Sequence, residues 1–222
     1  MLRVTAANVT HMLPDLLLLR DTSRLKMDGT PVTDADVLVE QAIHESLCAS
    51  LDSVRFIGEE GSVSTVFDDS EWTAVVDPID GTENFASGLP EWGVCVSLWH
   101  GGIHVASMLQ LPELSRCLIS GDSVPRYQSR LTGFSSKLDE ALVAELSETP
   151  HSRITGSAAY NMWCVITGSF ATFSNPVGAW SWDILAGISL ALEYGCEVTL
   201  DDKIYDGRYL ESDRTYRFEV RR

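Results

Sequence analysis

The most informative segment of this 222-residue chain reads DPIDGTENF at residues 77–85. The apolar residues 72–76 before it predict a buried strand that delivers Asp77 to its carboxyl end, where the following proline forces the chain to turn. The turn brings Asp80 back beside Asp77, so that two carboxylates and the carbonyl of Ile79 face one point. Oxygen donors of this kind are the ligands that a hard divalent cation prefers.

The two residues that follow add groups suited to an anionic ligand. Gly81 lets the backbone approach a ligand closely, and Thr82 supplies a hydroxyl. A short helix beginning here would direct its free N–H groups toward a phosphate. Asp-Pro and Asp-Gly are also common turn dipeptides, which is the alternative explanation for each of them taken alone. The complete nonapeptide is far more specific than either dipeptide.

Three further acidic residues are candidates for the same site. Glu59 follows the strand-like residues 54–57, Asp183 opens a predicted helix, and Asp36 lies three residues after Thr33. Each has a structural alternative: a solvated acidic turn for Glu59, a helix N-cap for Asp183 and a capping box with Thr33 for Asp36. The three become a site only in combination with the acidic segment that begins at Asp77.

Composition narrows the class of protein. The chain has 16 Lys+Arg against 32 Asp+Glu, a net charge of -16, which argues against binding to a nucleic-acid backbone and fits either simple solubility or carboxylates that hold cations. No apolar run approaches the ~20 residues of a membrane span, and no signal peptide is evident. The five cysteines form no CxxC pair, and the five histidines show no metal-ligand spacing. We therefore expect a soluble, cytoplasmic protein with no membrane partner.

Periodicity and breaker residues predict mixed secondary structure of the α/β or α+β layered class. Helices are predicted at residues 4–20, from Thr33 onward, at 157–167 and from near Asp183 to Gly195. Strands are predicted at residues 72–76, 94–99, 103–109, 116–120, 170–173 and 197–200, the second and third of them forming a hairpin. Little is assigned between residues 121 and 153.

Five pieces of the sequence, in order along nearly the whole chain, resemble the inositol monophosphatase superfamily of magnesium-dependent, lithium-sensitive phosphatases. They are Lys26 with PVTDAD at 31–36, GEE at 58–60, DPIDGTENF at 77–85, GSAA at 156–159, and WD at 182–183 with AG at 186–187. The resemblance implies alternating helix and sheet layers, as in fructose-1,6-bisphosphatases. It also implies a metal-dependent phosphoric monoester hydrolase and, commonly in this family, a homodimer.

The resemblance implies a set of metal ligands. Glu59, Asp77 and the carbonyl of Ile79 would hold the first Mg²⁺, and Asp77 would bridge to a second ion bound also by Asp80 and Asp183. Two or three Mg²⁺ ions are expected, with Mn²⁺ as a substitute and Li⁺ as an inhibitor.

It also implies catalytic and substrate-binding residues. Gly81 and Thr82 would present amides to the phosphate, with Asp80 and Asp183 on the substrate side. The Thr82 hydroxyl and Glu59 would orient the attacking water. Asp36 would fix Thr82, and Lys26 would be a cation beside the metal cluster.

The expected organisation is one catalytic unit made of two halves. Residues 1–122 form an α+β half with most metal ligands, and residues 123–222 form an α/β half with the last metal ligand and substrate-side residues. The chain is short for the family, and the shortening falls at residues 110–155.

The substrate stays open at this stage. Inositol-selective members carry a Glu shortly before the Trp-Asp pair, but SNPVG at residues 174–178 contains no acid, which argues against myo-inositol phosphate. The candidates are a sugar or inositol phosphate, histidinol phosphate or a nucleotide 3'-phosphate. The alternative function is a catalytically degenerate protein that binds a phosphorylated ligand or a partner on the same scaffold.

Overall fold

The computed structural model describes residues 1–27, 29–61 and 71–222. Its helices are α1 Leu2–Leu17, α2 Asp34–Cys48, α3 Thr82–Ala86, α4 Glu140–Glu148, α5 Ala158–Thr167 and α6 Ser181–Glu193, with a 3₁₀ turn at Arg20–Thr22. Its strands are β1 Arg24–Leu25, β2 Pro31–Val32, β3 Arg55–Gly58, β4 Trp72–Asp80, β5 Gly93–His100, β6 Ile103–Leu111, β7 Arg116–Ile119, β8 Thr132–Phe134, β9 Ser152–Ile154, β10 Thr172–Ala179, β11 Glu197–Leu200, β12 Lys203–Ile204 and β13 Tyr216–Arg221.

The strands form two large sheets and one small hairpin. The first sheet has five strands in the order β3-β4-β5-β6-β7, with β3 parallel to β4 and the other pairs antiparallel. The second has six in the order β12-β11-β13-β10-β8-β9, with β8 parallel to both of its neighbours. Strands β1 and β2 form a separate two-stranded pair.

The layers follow from the alternation of side chains along β4. Ala74 and Val76 pack into one apolar cluster with Val9 of α1 and residues of α2, whereas Val75 between them belongs to a second cluster with α5 and α6. Helices α1 and α2 therefore cover one face of the first sheet, and α5 and α6 cover the other.

Helices α5 and α6 form the central layer of the molecule. Every residue of α6 from 184 to 191 is buried, because this helix contacts the first sheet on one side and the second sheet on the other. In the second sheet, Phe173 of β10 points to this central layer, while the Ser174 hydroxyl donates to Glu145 of α4 at 2.8 Å. The order of layers is helix, sheet, helix, sheet, helix, which confirms the layered α/β class.

Local signals in the sequence predicted several elements correctly. Thr33 and Asp36 form the expected capping box at the start of α2, and β5 and β6 form the expected hairpin. Helix α5 begins after Ser157, whose side chain accepts the N–H of Tyr160, and ends at Gly168 in the left-handed conformation.

Other elements differ from the expectation. Helix α1 ends at Leu17 rather than residue 20, and β10 runs from Thr172 to Ala179 rather than over 170–173. The region at 121–153 contains β8, α4 and β9, and β13 near the end of the chain also had no prediction. Strands of three residues, such as β8 and β9, are too short for a periodic pattern to reveal.

The strand before the acidic segment is longer than predicted. Strand β4 does not end at Asp77 but continues to Asp80, and its pairing with β5 shifts between Asp77, opposite Cys95, and Asp80, opposite Gly93. One extra residue on β4 therefore forms a bulge, because Pro78 has no N–H to give to the ladder. The prediction of a turn at Pro78 was wrong, and a bulge takes its place.

Within the residues that the structure describes, no helix is long and apolar enough to cross a membrane. All five cysteines are free thiols, and Cys48 and Cys117 are exposed. The division of the chain into halves at residue 122 stays a prediction.

Candidate active site

Three carboxylates from three parts of the chain converge beside the end of β3 and the bulge of β4. Glu59, Asp77 and Asp183 each offer an oxygen, and the three atoms lie within 4.8 Å of one another. The parallel register places Gly58 opposite Val76, and the Glu59 N–H donates to the Val76 carbonyl at 3.2 Å. Glu59 and Asp77 are therefore brought together by strand pairing, and Asp183 by the first turn of α6.

Asp77 is the most enclosed of the three. It is 1% exposed, and its Oδ1 has no hydrogen-bond partner among the described residues. Burial raises the pKa of Asp77 well above its usual value, and the neighbouring charges of Glu59, Asp80 and Asp183 raise it further. A buried carboxylate oxygen of this kind lacks the compensation that a cation would supply.

Asp183 serves the helix and the cluster together. Helix α6 begins at Ser181, so Asp183 is its third residue, and its Oδ2 accepts the N–H of Trp180 at 2.8 Å. The expected helix start at Asp183 was two residues late. Burial raises the pKa of Asp183 well above its usual value, with a further contribution from Glu59. Asp183 is therefore not the N-cap, as the structural alternative had it, but it accepts the N–H of the N-cap residue from the third position of the helix while it also belongs to the cluster.

The Asp80 carboxylate points toward the first turn of α5. It accepts the Ser157 hydroxyl, the Ala158 N–H at 3.1 Å and the Ala159 N–H at 2.7 Å. Burial raises the pKa of Asp80 to about 6 despite these hydrogen bonds. Among the described residues, Asp80 is not part of the set of three carboxylates, although it lines the same cleft. Its assignment as a metal ligand and substrate contact stays a prediction.

Both the backbone conformation and the close packing at position 81 require a glycine. Its φ of 86° lies in the left-handed region, and a Cβ there would lie 3.0 Å from the Cβ of Ser157. Gly81 therefore packs closely against the residue that precedes α5, and its predicted close approach to a ligand stays a prediction. Gly81 also lines the cleft, immediately before α3.

Thr82 and Asp36 are in contact, as the sequence predicted. The Thr82 hydroxyl lies 3.2 Å from Asp36 Oδ1 and 3.0 Å from the carbonyl oxygen of Ile79. The other oxygen of Asp36 accepts the Thr33 N–H at 2.7 Å and the Thr33 hydroxyl at 2.6 Å. Burial raises the pKa of Asp36. One buried carboxylate therefore ties the start of α2 to the start of α3.

Lys26 forms an ion pair with two neighbouring acids. Its Nζ donates to Glu59 Oε1 at 2.8 Å and to Glu60 Oε1 at 2.7 Å. Burial lowers the pKa of Lys26, but the two carboxylates outweigh that effect and hold it above its usual value. Burial raises the pKa of Glu60 to about 7, although Lys26 opposes the shift. The predicted position of Lys26 beside the cluster is therefore the observed one.

Lys26, Glu59, Asp77, Asp80, Gly81, Thr82 and Asp183 line one cleft of about 580 Å³, whereas Asp36 and Glu60 lie behind its wall. The cleft also contains polar residues to which the sequence analysis gave no role: Ser135, Ser136, Lys137, Ser157, Asn161, Asn175 and Thr215. Ser157 and Asn161 are one helical turn apart, and that spacing could have revealed them as one face of α5. Residues 135–137 lie in the segment without a prediction, where no local signal was available. Trp180 and Trp182 line the cleft, whereas Trp163 packs against the apolar core.

Comparison with known proteins gives a consistent picture. A profile described as the inositol monophosphatase family matches residues 17–124. Inositol monophosphatase 2 of Saccharomyces cerevisiae is 30% identical over 197 residues, which cover 74% of this chain and 67% of that protein. Histidinol-phosphatase of Mycobacterium tuberculosis is 40% identical over 91 residues, which are 41% of this chain and only 34% of that protein.

A solved structure supports the fold. An IMPase of Thermotoga maritima superposes with a TM-score of 0.76 and covers 100% of this chain and 92% of its own, at 22% identity. Identity this low shows a shared fold alone.

Proposed function

This chain belongs to the inositol monophosphatase family, and on that premise we propose that it is a metal-dependent phosphomonoesterase acting on a small phosphorylated metabolite. The observation that carries the proposal is the meeting of Glu59, Asp77 and Asp183 in the cleft, with one oxygen from each within 4.8 Å of the others.

The donor set fits a hard divalent cation. All three groups are carboxylates, and the buried Oδ1 of Asp77 lacks a partner among the described residues. Oxygen ligands of this type suit Mg²⁺, with Mn²⁺ as a substitute. Glu59, Asp77 and Asp183 would hold the metal, and we retain the Ile79 carbonyl and Asp80 as further ligands. Two or three ions and inhibition by Li⁺ are part of the proposal.

The chain's own residues would position the water and the ester. Bound divalent ions supply Lewis-acid stabilisation of the phosphate oxygens and lower the pKa of a coordinated water. The Thr82 hydroxyl can donate a hydrogen bond to Asp36 Oδ1, 3.2 Å away, which leaves its oxygen lone pairs free to orient the attacking water together with Glu59. The Lys26 ammonium holds Glu59 in place through its 2.8 Å contact. No cysteine, serine or histidine nucleophile is required.

The substrate side of the site follows from the same geometry. Gly81 and Thr82 would offer backbone amides to the phosphate, with Asp80 and Asp183 beside the alcohol part of the ester. Relatives of this chain include proteins named histidinol-phosphatase, inositol monophosphatase and 3'(2'),5'-bisphosphate nucleotidase, so esters of these three types are the candidates. We also retain a cytoplasmic homodimer as a proposal, which sedimentation equilibrium would test.

The test is phosphate release from a panel of esters at several Mg²⁺ concentrations, with EDTA as the control. The panel contains inositol 1-phosphate, fructose 1,6-bisphosphate, histidinol phosphate, 3'-phosphoadenosine 5'-phosphate and glycerol 2-phosphate. We expect release that depends on Mg²⁺ and stops in EDTA. If no ester is hydrolysed although Mg²⁺ raises the melting temperature, the chain is instead a binding protein on this scaffold.

A further inference from the structure

Two tryptophans form a stacked pair in the wall of the cleft. The rings of Trp180 and Trp182 have centroids 5.2 Å apart and planes that differ by 13°. Both residues line the cleft that contains the three carboxylates, and Trp180 keeps 40% of its surface exposed. In a stacked pair each ring covers only one face of the other, so Trp182 leaves the second face of Trp180 available for a further ring.

The pair lies beside the acidic cluster. The backbone N–H of Trp180 donates to Asp183 Oδ2 at 2.8 Å, and Trp182 packs against the apolar core that includes α5 and α6. The backbone of Trp180 is therefore tied to one of the candidate metal ligands. Because the indole and the three carboxylates line the same cleft, a group attached to a phosphate at the carboxylates would share that cleft with the ring.

The part of strand β10 that lines the cleft has few free hydrogen-bond acceptors for a substrate ring that carries many hydroxyls. The side-chain oxygen of Asn175 accepts the backbone N–H of Val177 at 3.2 Å and that of Gly178 at 2.9 Å. Its amide oxygen is thus already engaged within the loop, and residues 174–178 contain no carboxylate. A polyol would therefore depend on the polar side chains elsewhere in the cleft, whereas a planar aromatic ring needs a face on which to stack.

We propose that Trp180, supported by Trp182, is a stacking platform for a planar aromatic ring in the alcohol part of the substrate. The inference rests on the proposed phosphatase function and narrows its substrate class to phosphate esters that carry a heteroaromatic ring, such as a purine or an imidazole. Offset stacking of two π-systems at such distances is favourable, and its contribution to nucleobase binding corresponds to roughly 5- to 100-fold in affinity.

The kinetic test compares Trp180→Ala and Trp180→Phe with the unmodified chain on two sets of esters. Adenosine 3'-phosphate and histidinol phosphate carry an aromatic ring, whereas glycerol 2-phosphate and inositol 1-phosphate do not. We expect Trp180→Ala to raise KM for the aromatic esters by roughly 5- to 100-fold and to change KM for the other esters by less than about 2-fold. Trp180→Phe keeps an aromatic ring and should therefore restore most of the affinity for the aromatic esters. Trp72→Ala, which removes an indole that contacts His100 in a tilted arrangement outside the cleft, is the matched control.

A binding experiment separates this inference from the phosphatase proposal. Saturation-transfer NMR with adenosine and with ribose needs neither metal nor turnover. Adenosine should receive saturation from the unmodified chain and from Trp180→Phe but not from Trp180→Ala, and ribose from none of them. Absence of hydrolysis with this NMR pattern would overturn only the phosphatase proposal. Equal KM changes for both sets of esters, or adenosine binding unaffected in Trp180→Ala, would overturn the stacking platform.

Discussion

At the level of single residues, the candidate site contains carboxylates that are removed from water without a full set of hydrogen-bond or ion-pair partners. Asp77 is 1% exposed, and nearby acids raise its pKa in the same direction as burial does. Uncompensated buried charge is costly for the folded chain, and a bound cation, as proposed above, would supply the missing compensation. Asp36 contrasts with it, because both of its oxygens have partners within the chain.

The substitution Asp77→Asn tests whether the carboxylate of Asp77 is part of a catalytic metal site. It removes one negative charge at the centre of the cluster with almost no change of shape, so turnover should fall by about 1,000-fold or more, which corresponds to the several kcal/mol that metal-assisted catalysis supplies. The fold should persist, and the melting temperature in EDTA should stay equal or rise, because repulsion with Glu59 and Asp183 is relieved. Steady-state kinetics and thermal melts measure both effects.

The matched control for that exchange is Asp52→Asn, which removes the same charge at an exposed position outside the cleft. It should leave kcat/KM unchanged within about 2-fold, as surface substitutions rarely matter. Full activity of Asp77→Asn would show that the three carboxylates are not the catalytic centre.

At the level of elements, α2 supports the turn that follows β3. Glu40 of α2 is fully buried, and its Oε2 accepts the Glu60 N–H at 3.0 Å. A Cβ at Gly58 would lie 2.2 Å from that same oxygen, so the carboxylate occupies the space that a glycine leaves. Glu59 lies between these two contacts, which explain why the end of β3 requires glycine at position 58.

We expect Gly58→Ala to destabilise the fold by about 1–3 kcal/mol, because the added methyl displaces a buried side chain. Activity should fall as well, since Glu59 moves with its neighbours. Urea unfolding measures the first effect and ester hydrolysis the second. Glu40→Asp, which shortens the acid, should be partly compensatory: the double variant should be more stable than the sum of the two single losses by about 1 kcal/mol. Strict additivity would contradict the contact.

Strand β6 carries a polar chain on its inner side. His104 Nε2 lies 2.8 Å from the Ser107 hydroxyl, which donates to the Ser97 hydroxyl at 3.1 Å. The His104 ring also packs edge-on against Trp99. Burial lowers the pKa of His104, although Glu193 of α6 opposes the shift. The neutral imidazole is therefore the form that the folded sheet holds.

Acidification should weaken the fold through this histidine. In the unfolded chain histidine binds its proton near pH 6.5, whereas folded His104 binds it only at lower pH, so the unfolded state gains protons first. The contribution of His104 to the free energy of unfolding should consequently fall between pH 7 and pH 5, whereas the buried acids in and around the cleft, whose pKa values are raised, act in the opposite direction. The His104→Gln variant lacks only the first effect, so its stability relative to the unmodified chain should rise as the pH falls from 7 to 5. Denaturant unfolding at each pH measures the slope. His11→Gln on the exposed side of α1 is the control, and an equal change in both variants would refute the assignment.

At the level of the whole molecule, the site lies where the layers meet. Glu59 and Asp77 come from the first sheet, Asp183 comes from the central helical layer, and Asn175 comes from the second sheet. A ligand in the cleft therefore contacts three layers at once, and its binding energy should stabilise their packing as well as the local residues.

Mg²⁺ should accordingly raise the melting temperature of the entire chain. Ligand at 100 times its dissociation constant adds about 2.7 kcal/mol to the unfolding free energy, which for a chain of this size corresponds to roughly 5–10 °C. Differential scanning calorimetry in EDTA and in MgCl₂ measures the shift, with NaCl of equal ionic strength as the control for screening of the acidic surface. The shift should shrink strongly in Asp77→Asn. An equal shift in that variant would mean that Mg²⁺ acts elsewhere.

Local sequence patterns predicted the pieces of the site but not their assembly. The capping box of Thr33 and Asp36, the β5–β6 hairpin and the helix after Ser157 depend on residues a few positions apart, so a single sequence contains the information that specifies them. The acidic segment at residues 77–85 identified the family because its spacing is itself local.

What the tertiary structure alone decided is which distant groups meet. Asp80 accepts the Ser157 hydroxyl 77 residues away, and Lys26 lies between Glu59 and Glu60. The bulge at Pro78 and the short strands β8 and β9 likewise depend on the neighbouring strands with which they pair. Such contacts arise from the packing of layers, whose energy is spread over many apolar side chains and is not specified by any short pattern.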